Sequence, residues 1–319
     1  MMLRILIVLI VLSSLHMICQ AQNIADRAIT FDPLGDHDAD TAGFTWLNSA
    51  RLYAEFSRYS DGSGPNHRWN AKTGGFFEVA RWDSSWSIMA VGTMEMVADP
   101  FSDITFNPRG IFWEEGVMAS MRLSRQSALQ FGYIHRCKHD IDNLEPWLLA
   151  GKIEQITLVY SGLATRLLLR PRPVVEGPLE VHAGLALRND FYLHLFDQRE
   201  PIEAHATGRN MNTLANTTNV MLRLDLRPRD ARYGLHLNTD FMLSLFGEDK
   251  GFGGRWSGLT ALGTVPFMEL GLDLFNPDGA AFTIFARGEW QRENHIVPFA
   301  TSSRLFLMGI RTSMFESMW

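Results

Sequence analysis

The stretch that decides the fold is TTNVMLRLDLRPRDARYGLHLNTDFMLSL, residues 217–245. In its first half, Val220, Leu222, Leu224 and Leu226 alternate with mainly polar residues. A turn follows at 228–231, and the alternation resumes with mostly apolar residues at the odd positions from 233 to 245. A period of two residues is typical of a β-strand whose two faces meet different surroundings. The stretch therefore predicts two antiparallel strands joined by a short turn.

The same alternation recurs along the chain and predicts about twelve strands. They are expected near 43–57, 74–82, 86–97, 111–123, 128–138, 153–170, 178–196, 217–227, 232–245, 256–275, 280–290 and 303–315. Short turns at 83–85, 124–127, 171–177, 228–231 and 276–279 alternate strictly with long polar connections. An even strand number with short periplasmic turns and long external loops is typical of outer-membrane barrels. The prediction is an all-β fold, an antiparallel transmembrane β-barrel of about twelve strands.

Composition narrows the classes of function. The chain has 319 residues, 46% of them apolar, and a formal charge of −6. A net negative charge disfavours binding to nucleic acid through phosphate neutralisation. Beyond residue 22 the sequence has no apolar run of 18 residues, so no membrane-spanning helix is expected.

The N-terminus has the pattern of a secretory signal peptide. Arg4 precedes the apolar run 5–12, and Cys19 and Ala21 stand at positions −3 and −1 of a cleavage site. We expect a signal peptide at 1–21, a periplasmic segment at 22–42 and a barrel at 43–319. The expected location is the bacterial outer membrane. The terminal aromatic, Trp319, fits the assembly signal of such barrels, so outer-membrane lipid and the barrel-assembly machinery are the expected partners.

The polar strand faces carry charges of both signs, which are expected to line the lumen and to pair there. Clusters of one sign would indicate a selective pore. A soluble exported barrel that binds a ligand inside remains an alternative, and there the apolar face would point inward. The expected luminal charges are Glu78, Glu95, Glu114, Arg122, Arg166, Arg170, Arg188, Arg223, Asp225, Arg232, Asp240, Asp273, Arg287 and Glu289.

The densest cluster of reactive side chains is FGYIHRCKHDIDN, residues 131–143. His135 and Cys137 have the parity of Phe131 and Tyr133, which predicts that both point to lipid. Two residues apart on one strand face, an imidazole and a thiol can meet as base and nucleophile. A zinc site formed with His139 is a further alternative.

This arrangement resembles the outer-membrane phospholipase A family, in which a His-x-Ser pair lies on the outer surface of a twelve-stranded barrel. The resemblance implies that His135 is the general base and Cys137 the nucleophile, with Gln155 or Thr157 orienting the histidine. It also implies that Asp140 and Asp142 contribute oxygen ligands for calcium. The sequence departs from the family by having cysteine in place of serine and Lys138-His139 in place of the usual Asn-Gly.

Two main functional hypotheses follow. The first is an outer-membrane barrel without assignable catalysis, with a structural or narrow-pore role. The second is a lipid hydrolase that acts through His135 and Cys137. The oligomeric state stays open.

Overall fold

The computed structural model of the chain describes residues 32–34, 43–47, 49–60, 68–99, 106–140, 157–197, 203–204, 209–210, 213–229, 231–248, 256–275, 280–291 and 303–317. The predicted signal peptide, Gln155 and Asp142 lie outside these residues. Within the described ranges, no helix is long and apolar enough to span a membrane.

The described residues form β-strands of up to 19 residues. Long strands of this kind are what the alternation of faces predicts. In chain order the strands are β1 (Phe44–Trp46), β2 (Ser49–Tyr59), β3 (Trp69–Trp82), β4 (Trp86–Asp99), β5 (Asn107–Ser124), β6 (Ser127–Asp140), β7 (Thr157–Val175), β8 (Leu179–Asp197), β9 (Glu203–Ala204), β10 (Arg209–Asn210), β11 (Leu214–Pro228), β12 (Tyr233–Phe246), β13 (Thr260–Phe275), β14 (Ala281–Gln291) and β15 (Ser303–Ser317).

Twelve of these strands close into an antiparallel barrel. The pairing runs from β2 through β8, continues with β11 to β15, and returns from β15 to β2. At the closure, Ile310 of β15 pairs with Phe56 of β2. Each barrel strand is therefore hydrogen-bonded on both sides, and the barrel has no free edge. The predicted all-β, twelve-stranded fold is confirmed.

The strands are long enough to cross a membrane. The shortest barrel strands, β2 and β14, have 11 residues. A membrane-spanning strand needs about 9–11 residues at a tilt of about 45°. We call the end of the barrel with the short connections the turn end, and the opposite end the loop end.

Two predicted elements differ from the structure. The predicted strand 43–57 is interrupted at Leu47, whose φ of 52° is left-handed, so β1 and β2 are separate strands. The predicted turn 171–177 is instead the end of β7, which continues to Val175 with shifts in register beyond Leu169. Pro171 and Pro173 have no N–H for the ladder and are typical of turns, but a strand with irregular pairing accommodates them.

The outer surface of the barrel is apolar. Along the strands, large hydrophobic side chains are exposed at alternate positions. A soluble protein rarely exposes a continuous apolar surface of this kind, and the orientation is opposite to that of the soluble alternative. The exposed residues include Leu52, Phe56, Met94, Val117, Phe131, Tyr133, Leu163, Leu235, Leu237, Phe241, Leu243, Met268, Leu270, Phe282, Ile284, Phe306, Met308 and Ile310.

Candidate functional site

His135 and Cys137 lie on the outward face of β6, in the half of the strand nearer the loop end. Phe131 and Tyr133 precede them on the same face and are 57% and 49% exposed. The alternate residue Ile134 is buried in the lumen. The predicted outward parity of the pair therefore agrees with the strand, although neighbouring side chains cover Cys137 to 3% exposure.

Both ring nitrogens of His135 have partners. Nε2 lies 2.9 Å from Sγ of Cys137, and Nδ1 lies 2.9 Å from Oγ of Ser161 on β7. Ser161 is the register partner of His135, so strand pairing itself brings them together. If Nδ1–H donates to the serine oxygen, Nε2 keeps its lone pair and accepts the thiol proton. Such an imidazole is oriented by one neighbour and available as a base to the other.

A charged residue lies on the other side of the histidine. Glu115 of β5 is the register partner of His135 and is exposed on the outward face. On the far side, Ser161 pairs with His194 of β8. In backbone register, Glu115, His135, Ser161 and His194 thus lie in one row across β5 to β8.

The structure describes only part of the predicted site. Thr157 is paired with His139 and not with His135, so the hydroxyl that contacts the histidine comes from Ser161, which the sequence analysis missed. Asp140 is the last residue of β6, and its side chain lies outside the described part of the chain. Among the described residues, no group of three or more His, Cys, Asp or Glu is placed to hold a metal ion.

The lumen contains a segment from the N-terminal part of the chain. Residues 32–34 lie inside the turn end, where Asp32 and Leu34 are 1% and 0% exposed. Three arginines of the barrel wall hold them. Arg170 pairs with the Asp32 carboxylate at 2.6 and 3.1 Å, and Arg81 donates to the Pro33 carbonyl at 3.0 Å. Arg122 donates to the Leu34 carbonyl at 2.5 Å. We call residues 32–34 the plug.

A first network of ion pairs lies on the wall formed by the neighbouring strands β12 to β15 and β2. Oε2 of Glu269 accepts from Arg287 and Arg311, each at 2.6 Å, and Oε1 lies 2.9 Å from Nε2 of His236. Glu55 accepts from the same two arginines at 2.8 and 2.9 Å. These five side chains are buried. Luminal pairing of opposite charges, as the sequence predicted, is confirmed here.

A second network lies on the wall formed by β5 to β8. Glu114 accepts from three arginines: Arg136, Arg166 at 3.3 Å and Arg188 at 2.6 Å. Arg188 also donates to Asp190 at 2.8 Å. Opposite charges confined in this way satisfy one another's hydrogen-bonding groups.

A cavity of about 340 Å³ remains between the two networks. Its wall includes charged residues of both networks and a polar patch on β11 and β12. In that patch, Asp240 accepts a hydrogen bond from Asn219 Nδ2 at 2.8 Å. Asn238 lies two residues before Asp240 on the same inward face and also lines the cavity.

No family model matches the sequence. No curated protein matches it either.

Solved structures give matches at low identity. An active-site mutant of outer membrane phospholipase A from Escherichia coli is 11% identical, with a TM-score of 0.44, over 94% of this chain and 99% of that one. LpxR from Salmonella typhimurium is 8% identical, with a TM-score of 0.40, over 82% of this chain and 99% of that one. The NanC porin is 10% identical, with a TM-score of 0.40, over 82% of this chain and 98% of that one. In architecture the chain is a twelve-stranded antiparallel barrel that resembles bacterial outer-membrane β-barrels.

Proposed function

We propose that the chain is an integral protein of a bacterial outer membrane. The support is its own outer surface, where exposed apolar side chains alternate with buried charged ones along strands long enough to cross a bilayer. A protein of this kind migrates differently on a gel before and after heating in detergent. Heat-modifiable migration is expected, whereas a folded protein that stays in solution without detergent contradicts the proposal.

We further propose that His135 and Cys137 hydrolyse esters of membrane lipid. One observation carries this: the two nitrogens of His135 contact Cys137 and Ser161 at the same time, on the face that meets lipid. A base that is oriented by a third group and in contact with a nucleophile is the arrangement needed for nucleophilic catalysis.

The chemistry follows from these contacts. Nε2 of His135 takes the proton of the Cys137 thiol, and the thiolate attacks the carbonyl carbon of the ester, forming a C–S bond. The ester C–O bond breaks, the imidazolium gives its proton to the leaving alcohol, and a thioester remains on Cys137. His135 then takes a proton from water, which attacks the thioester and releases the fatty acid and the thiol.

The substrate must reach a covered sulfur. Cys137 is 3% exposed, and its register partners are Trp113 on β5 and Val159 on β7. An ester carbonyl therefore contacts Sγ only when a neighbouring side chain moves. Because the pair lies on the outward face of β6, the proposed reaction takes place at the outer barrel wall and not in the lumen.

Purified variants in mixed micelles of detergent and a phospholipid with a fluorescent acyl chain test the hydrolysis. We expect His135→Ala and Cys137→Ala to lose release of the labelled fatty acid. Phe131→Leu, a lipid-facing change on the same strand, is expected to keep it. Wild-type release that persists in either alanine variant contradicts the proposal.

Calcium at Asp140 and Asp142 remains a separate proposal. Asp142 and the Asp140 side chain lie outside the described part of the chain, and no step above depends on a metal. Addition of a calcium chelator to the same assay tests it, and release that stays unchanged contradicts a calcium requirement.

A barrel without catalysis is the second candidate. Here the observation is the lumen, where the described part of the chain places the plug, two charge networks and a cavity of about 340 Å³. This favours a structural or narrow-pore role over a wide channel.

A further inference from the structure

Asp240 differs from the other carboxylates that line the luminal cavity. Five of the six pair with a cation: Glu55, Glu114, Glu269 and Glu289 with arginines, and Glu95 with Lys72 at 3.6 Å. Asp240 makes no ion pair within the described part of the chain. Its Oδ2 accepts from Asn219, and its Oδ1 has no hydrogen-bond partner there.

A second unpartnered oxygen lies next to it. Oδ1 of Asn238 has no hydrogen-bond partner among the described residues, and Asn238 and Asp240 share the inward face of β12. Their side chains are buried, at 6% and 7% exposure, and both line the cavity. Burial of an ionised carboxylate and an amide oxygen without partners costs free energy. Both residues line the cavity, but each Oδ1 has less than 1 Å² of accessible surface, so a ligand in the cavity reaches these two acceptors only when the side chains turn toward it.

The nearby cations are already engaged. Arg188 is bound to Glu114 and Asp190, and Arg223 pairs with Asp225 and Asp273. Moving one of them to Asp240 would leave another buried carboxylate with one cation fewer. The charge that completes Asp240 is thus expected from outside the barrel wall.

We propose that the cavity binds a small organic amine in its protonated form, with the ammonium group between Asp240 Oδ1 and Asn238 Oδ1. An ammonium donates three hydrogen bonds and carries the charge that Asp240 lacks. Met242 and Phe267 also line the cavity, and Phe267 is the register partner of Asp240, so an apolar wall lies beside the acceptors. A short carbon chain on the amine fits against that wall.

Three probes of matched length test whether an ammonium group is needed for binding: 4-aminobutan-1-ol, 4-aminobutanoate and 4-hydroxybutanoate. Titration calorimetry on the full-length barrel in detergent measures their binding. We expect the two amines to bind and 4-hydroxybutanoate not to bind. Binding of 4-hydroxybutanoate alone, or of none of the three at millimolar concentration, overturns the proposal.

Asp240→Asn tests the site itself, because it removes the charge without changing the shape. We expect it to weaken the binding of 4-aminobutan-1-ol by about tenfold or more, since a charge-assisted hydrogen bond becomes a neutral one. Phe241→Leu, on the outward face of the same strand, is expected to bind as the wild type does. Equal affinity of Asp240→Asn and the wild type overturns the proposal.

The thermal stability of the barrel without ligand is an independent test of the site. If Asp240 is a carboxylate without a structural partner, Asp240→Asn relieves its desolvation and raises the heating temperature at which the folded gel band disappears. A lower temperature for this variant shows that the carboxylate is part of the folded network, and it overturns the proposal.

Discussion

Arg170 and Asp32 form a two-point ion pair inside the turn end of the barrel, although 138 residues separate them in the sequence. The carboxylate accepts from Nε and from Nη2, at 2.6 and 3.1 Å. A bidentate pair of this kind fixes direction as well as distance. It holds the plug against β7.

The plug is expected to limit ion flow. Deletion of residues 32–34 removes Leu34 and the partners of Arg81 and Arg170 from the lumen, so single-channel conductance in planar bilayers is expected to rise severalfold. Arg170→Ala is expected to give a smaller rise, because the contacts of Arg81 and Arg122 remain. Arg172→Ala, at an exposed position on β7, is the control. A deletion variant that conducts like the wild type refutes a plug.

Ser161 is expected to act as a positioning residue for His135. Loss of its hydroxyl in Ser161→Ala frees Nδ1, so the imidazole spends less time with Nε2 toward Cys137. We expect kcat for lipid hydrolysis to fall by about tenfold with little change in KM. Ser161→Thr keeps the hydroxyl and is expected to restore part of the rate. Equal rates in the alanine variant and the wild type show that the contact has no role in hydrolysis.

Access to Cys137 is expected to depend on Trp113. Trp113→Ala reduces the side chain at the neighbouring register position, so a lipid-soluble maleimide is expected to alkylate Cys137 faster. Mass spectrometry of digested protein measures the extent of alkylation with time. Leu129→Ala, on the same outward face but eight register pairs nearer the turn end, is the comparison. If Cys137 is alkylated no faster in Trp113→Ala than in the wild type, another side chain covers the thiol.

Removal of one charge from the first luminal network is expected to destabilise the barrel strongly. Glu269→Gln removes the charge that Arg287, Arg311 and His236 share, and breaking a buried pair in this way costs about 3–5 kcal/mol. Glu180→Gln is the matched change at the turn end, where its partner Arg229 is 55% exposed and water screens the pair. There we expect a loss of about 1 kcal/mol or less. Urea unfolding of the barrel in phospholipid vesicles measures the free energy of unfolding of both variants. Equal losses in Glu269→Gln and Glu180→Gln contradict the expected difference.

If the apolar outer surface of the barrel faces lipid, the cost of a charged substitution there is expected to depend on its depth in the bilayer. Leu237 lies near the middle of β12, and Leu245 lies one residue before its loop end. Arginine on the lipid face costs about 2–4 kcal/mol at the bilayer midplane and about 0–1 kcal/mol near the interface. Leu237→Arg is thus expected to lower the free energy of folding into vesicles far more than Leu245→Arg. Similar costs for the two variants argue against a bilayer around β12.

Alternation of side chains predicted the strands, because a barrel that separates lipid from a polar lumen imposes it along each strand. The pairing register between neighbouring strands is harder to predict from the sequence. A short turn at 124–127 alone places Gly116 opposite His135, but the irregular pairing between Arg122 and Ser124 shifts the register, so Glu115 takes that place. Between β6 and β7 a long loop leaves the register free. The sequence therefore indicated Gln155 and Thr157 as partners of His135, whereas Ser161 makes the contact.

The alternation of apolar and polar residues cannot predict the plug. Residues 32–34 form no strand, and their contacts with Arg81, Arg122 and Arg170 depend on three strands whose positions are known only once the barrel closes. Asp240 is a related case. Its parity predicted a luminal carboxylate, but its lack of an ion pair within the described chain depends on which arginines the other strands supply.

The closure between β15 and β2 has a consequence for the order of folding. It joins the first barrel strand to the last, and it brings Glu55 to Arg311 across 256 residues. Until β15 is present, β2 and β14 each keep an open edge whose backbone groups have no partners in hydrocarbon. A growing chain therefore cannot enter the bilayer stepwise as a partial sheet at low cost. Insertion and closure are expected to proceed together, after synthesis of the whole chain.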